Sequence, residues 1–122
     1  MGTSKSTDRA GEYIGGASIY SGRPDPIWTI NRDDAERLKS LWDSMESYEG
    51  ALPTAPVLGY RGCFMRDSSE REWFAYGGVV TLKTATGSQS HKDNRRQFEA
   101  LLLSLAPQGV VPAQLVDPKR LS

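Results

Sequence analysis

The stretch YRGCFMRDSSEREWFAYGGVVTLKT, residues 60–84, decides how this chain reads. It is rich in aromatic and β-branched residues, the types that suit a pleated, half-buried surface. The polar run Asp67-Ser68-Ser69-Glu70 divides it. The pattern predicts a hairpin, with one strand over 60–66 and the next over 71–84. Gly77-Gly78 interrupts the second strand and marks a bulge or a close backbone approach. Closing the hairpin at Asp67 and Glu70 sets Phe64 opposite Trp73, Gly62 opposite Ala75, Tyr60 opposite Gly77 and Arg61 opposite Tyr76. Opposed residues share a face. One face then carries Tyr60, Phe64 and Trp73, and the other carries Arg61, Cys63, Met65, Phe74 and Tyr76.

Upstream, Tyr13, Ala17 and Ile19 alternate with polar neighbours and predict a strand over 12–20. Ser21-Gly22-Arg23-Pro24-Asp25-Pro26 breaks it into a stiff loop, because each proline fixes φ and removes a donor. Ile27 to Ile30 is a short extended piece. Asn31 is a good N-cap, with Asp33, Asp34 and Glu36 placed where a helix dipole favours acids. Ala35, Leu38, Leu41, Trp42, Met45 and Tyr48 recur at helical spacing, and Gly50 ends the helix. Downstream, 84–90 reads as a polar loop. A second helix starts near Ser90 or Asp93 and stops at Pro107, with Phe98, Leu101, Leu102 and Leu105 on one stripe.

The expected class is α+β in the order β-α-β-β-α, a mostly antiparallel sheet with two helices on one face. The expected division is a disordered tail over 1–11, one domain over 12–107 and a Pro-containing tail over 108–122. The 122 residues suit one domain. Fifteen basic and fifteen acidic residues cancel, so no long-range field draws the chain to nucleic acid, which is disfavoured as a partner. One cysteine excludes an internal disulfide. The apolar runs are too short to span a membrane, and a cytoplasmic setting is expected. Met1-Gly2-Thr3-Ser4-Lys5-Ser6 fits the N-myristoylation pattern at Gly2, though a flexible tail reads the same way.

Motifs for a zinc site, a phosphate loop or a nucleophile elbow are missing, and the pattern calls for no cofactor. The lone Cys63 reads as a small core residue and the lone His91 as a solvated surface one. Three basic groups stand out: Arg23 in the stiff loop beside Asp25, Arg61 across from Tyr76, and Lys92, Arg95 and Arg96 in the first turns of the second helix. Cations there oppose the helix dipole, so they mark either an anion site or charge pairing with the acidic first helix.

The leading expectation is a non-enzymatic interaction module. It would bind an acidic protein segment or a small anion through Arg23, Asp25, Arg61, Tyr76, Arg95 and Arg96. One alternative is a small enzyme with an arginine-lined anion pocket and Asp25, Glu72 or His91 as acid or base. The other is an aromatic platform of Tyr60, Phe64 and Trp73 for carbohydrate or single-stranded nucleic acid.

Overall fold

A computed structural model describes residues 12–19, 24–55 and 59–111. The tail with its Gly2 motif, Arg23, and most of the C-terminal tail lie outside them. Strands β1 (Tyr13–Ala17) and β2 (Ile27–Ile30) precede helix α1 (Arg32–Ser44). Strands β3 (Cys63–Asp67), β4 (Glu72–Tyr76), β5 (Val79–Thr84) and β6 (Gly87–Lys92) follow, and α2 (Gln97–Ser104) comes last. The six strands form one antiparallel sheet in the order β2-β1-β3-β4-β5-β6. The domain is therefore α+β, as expected, with more strands than the apolar pattern revealed. None of its described helices is long and apolar enough to cross a membrane.

Helix α1 begins as the sequence predicts. The Asn31 side chain accepts from the Asp34 N–H at 2.8 Å, and Ala35, Leu38 and Trp42 face inward. The helix stops at Ser44 rather than near Gly50. The chain instead lies along β6. The Lys92 N–H donates to the Glu46 carbonyl at 2.8 Å and the Tyr48 N–H to the Ser90 carbonyl at 2.9 Å. Sheet-edge backbone groups thus replace the next helical turn as partners.

The hairpin register differs from the expected one by one residue. Phe64 pairs with Phe74 and Met65 with Trp73. The turn holds three residues, not two, because Asp67 stays paired with Arg71. The Asp67 carboxylate accepts from the Ser69 and Arg71 N–H groups at 2.9 and 3.0 Å, and Glu70 takes the left-handed conformation at φ 67°. A slip of one residue moves every side chain of a strand to the other face. Cys63, Met65, Trp73 and Ala75 therefore point together into the core with Tyr13, Trp28, Ile30, Val80, Phe98, Leu102 and Leu103. The platform of Tyr60, Phe64 and Trp73 is accordingly corrected. Phe64 and Trp73 lie on opposite faces, and Trp73 is 2% exposed.

Gly77 and Gly78 form a turn that splits the expected long strand into β4 and β5, and Pro53 packs against Gly77. The polar segment after it is not a loop. Residues 87–92 pair along the whole of β5, and this moves the second helix back to Gln97. His91 is consequently a core residue, not a solvated one. Its ring stacks on Trp42 with centroids 3.6 Å apart, and its Nδ1 lies 3.0 Å from the Trp42 carbonyl oxygen. A carbonyl can only accept, so Nδ1 carries the proton and Nε2 accepts from the Gln89 amide at 3.0 Å.

Candidate functional site

The bridge from β6 to α2 collects the most perturbed chemistry. Lys92 ends β6, while Arg95 and Arg96 sit ahead of α2 with left-handed φ values of 56° and 54°. They do not occupy the first turns of the helix, although Arg96, as its N-cap residue, still lies at the positive end of the dipole. Asp93 fills that place. Its carboxylate reaches over the loop and accepts from the Phe98 N–H at 2.8 Å and the Glu99 N–H at 3.0 Å. The donors that would hold an external anion are thus satisfied from within the chain.

Glu99 lies beneath this cap at 1% exposure. Its Oε2 accepts from the Tyr60 hydroxyl, and its Oε1 has no hydrogen-bond partner among the described residues. The Cys63 thiol points at the Glu99 backbone carbonyl, 3.9 Å away. Burial pushes the Glu99 carboxyl above the ordinary carboxylate range, against the opposing pull of the Tyr60 hydroxyl and the Arg96 charge. Burial also raises Asp93, though the Phe98 and Glu99 amides hold it back. Burial raises the Tyr60 phenol and the Cys63 thiol too, so both stay protonated at neutral pH and the thiol is a poor nucleophile.

The two raised carboxyls give the fold a definite pH response. The native state keeps protons that the unfolded chain has already lost. Their contribution to stability is therefore full below the ordinary carboxylate values of 4.5 for Glu99 and 3.8 for Asp93, and is lost as pH rises through the native values. Glu99→Gln keeps an acceptor for Tyr60 and removes one titration. Urea midpoints measured from acid to neutral pH should decline less steeply in this variant than in the parent. Parallel profiles for the two proteins would remove Glu99 from the response.

The structure places the other sequence candidates apart in role. Asp25 accepts from the Ile19 N–H at 2.8 Å and shapes its own loop. The Arg61 N–H donates to the Ser18 carbonyl at 2.7 Å, and Arg61 has a further partner. Tyr76 lies near the Glu99 cluster through Tyr60, with ring centroids 5.8 Å apart, and Arg96 through its charge. Glu72 is ion-paired with Arg66 at 2.9 Å.

A second feature lies on the face of the sheet turned away from the helices. The pairing puts Ile14, Gly16, Ile27, Thr29, Phe64, Arg66, Glu72 and Phe74 there. Ile14 is 45% exposed and Ile27 is 64% exposed. Gly16 gives the Phe64 ring room to lie flat across β1, since a Cβ there would come within 2.3 Å of it. The Arg66 guanidinium stacks over that ring at 4.4 Å. Sequence reasoning passed over Ile14 and Ile27. The alternation Ile27-Trp28-Thr29-Ile30 carried the signal, because it puts Ile27 on the side opposite Trp28. Comparison of the chain with models of protein families, with curated proteins and with solved structures finds no match.

Proposed function

We propose that the protein is a non-enzymatic interaction module that takes an acidic, partly apolar protein segment on the open face of its sheet. The observation that carries this reading is the exposure of Ile14 and Ile27 beside the Phe64–Arg66 stack. Exposed aliphatic groups next to a half-buried ring supply apolar area, and contiguous exposed apolar groups are a feature of interaction sites. The half-exposed Arg66 guanidinium supplies the preference for acid, although its Nε is already committed to Glu72. A protein segment suits this face better than a small anion, because Asp93 already caps the helix amides an anion would use. A cytoplasmic setting agrees with the single buried thiol of Cys63.

Labelled extended peptides that alternate valine with aspartate should bind, and their valine-lysine counterparts should not. Arg66→Glu should weaken the acidic peptide by about tenfold, or roughly 1.4 kcal/mol, as read by fluorescence anisotropy. Amide shifts on binding should centre on Ile14, Ile27 and Phe64. Equal binding of both peptides, or shifts centred on Arg95 and Arg96, would overturn the proposal.

A further inference from the structure

Strand β2 forms one end of the sheet, and among the described residues no strand pairs with its outer edge. The hydrogen-bond phase of β1 and β2 fixes which groups that edge presents. The Ala17 N–H donates to the Pro26 carbonyl at 3.2 Å, so Pro26, Trp28 and Ile30 turn their backbone groups toward β1. Ile27 and Thr29 turn theirs outward. The edge therefore offers two N–H and two C=O groups. Pro26 spends its missing donor on the inner side, where it guards nothing. The strand carries no charge and no lysine, the usual devices against edge pairing.

We infer that this edge is an interface for a second copy of the chain, paired antiparallel about a two-fold axis at Trp28. Setting Ile27 against Thr29 of the second copy, and Thr29 against its Ile27, satisfies all four outward groups with the four of the other strand. Opposed residues keep to the same face in this register. The arrangement is isologous, with one patch serving both copies. It also continues the side-chain rows of the open face. Ile14 lies across from Thr29 within one copy, and Gly16, carrying the Phe64 ring, lies across from Ile27. Pairing joins these rows end to end, so Ile14, Thr29, the second copy's Ile27 and its Phe64 ring form one band. Ile27, the most exposed large apolar side chain among the described residues, then gains Thr29 of the other copy as its direct cross-strand neighbour, with that copy's Ile14 next in the row.

Sedimentation velocity on the full chain across about a hundredfold range of concentration tests the inference, because an association of copies must follow mass action. The expected species at the upper end has twice the 13.4 kDa chain mass. Thr29→Pro removes one outward donor and leaves the β1 ladder intact, so it should sediment as a monomer with an unchanged far-ultraviolet circular dichroism spectrum. If that variant fails to fold, Ile27→Lys at the exposed position serves instead and should also be monomeric. A parent that stays monomeric at the highest concentration overturns the inference, and so does a folded edge variant that remains dimeric. The inference concerns the strand edge, whereas the acidic-segment reading concerns the face. Arg66→Glu should leave the sedimentation unchanged, so the two can fail separately.

Discussion

Asp93→Ala is expected to lower the stability of the fold by about 3 kcal/mol, read from the shift of a urea midpoint at constant slope. The carboxylate caps α2 from outside the ordinary N-cap position, with three residues looped out between it and Gln97. Phe98 and Glu99 are buried, so water cannot easily replace what alanine removes. Two buried donors left without partners cost about 1–3 kcal/mol each before relaxation, and relief of the raised Asp93 carboxyl returns part of that. The loop adds to the loss. Arg95 and Arg96 hold left-handed conformations that L residues avoid, and the Asp93 bonds are what fix the path through them. Asp93→Asn should fall between the parent and alanine, since its amide keeps one acceptor and turns a donor toward the other N–H. Stability within about 0.5 kcal/mol of the parent for the alanine variant would contradict the role given to this side chain, because that is the range of an ordinary surface substitution.

Gly62→Ala carries a loss of similar size by a different route. Gly62 sits at φ 117°, a region closed to residues with a side chain. A Cβ there would meet the Phe74 ring at 2.4 Å and the Ala75 carbonyl oxygen at 3.1 Å. Backbone strain and overpacking each cost about 1–3 kcal/mol, so a total near 3 kcal/mol is expected. Gly59 supplies the control. Its φ is also positive, at 86°, but nothing among the described residues lies within 4 Å of an added Cβ. Gly59→Ala should then cost only the backbone part, about 1 kcal/mol. Equal losses at both positions would show that the crowding at Gly62 relaxes freely.

The sequence made the helices legible where their signals were local. Asn31 caps α1 as its side chain predicts, and Phe98 and Leu102 face the core at helical spacing. The strands failed where the deciding interaction was not local. Glu70 adopts a left-handed turn that nothing in its side chain announces, and that single residue exchanged the faces of the hairpin. Strand β6 has no apolar alternation because its inner residue, His91, is satisfied by Trp42 from a distant helix. Asp93 looked like part of a charged helix start, and only the folded loop shows it reaching five and six residues ahead. The two conflicts visible in the sequence met different ends. Of the arginines before α2, Arg96 faces the buried acids Glu99 and Asp93, while the surplus of apolar groups on the sheet persists as an open face.

The short segment from Glu46 to Tyr48 limits how far this sheet can grow. It lies against β6 at Ser90 and Lys92 and plugs the end of the sheet opposite β2. A sheet open at both ends would be divalent, and each copy could recruit another without limit. With that end covered at Ser90 and Lys92, β2 is the edge left for pairing among the described residues. Under the proposed edge pairing, two copies would saturate each other, and the product would be a closed pair rather than a filament.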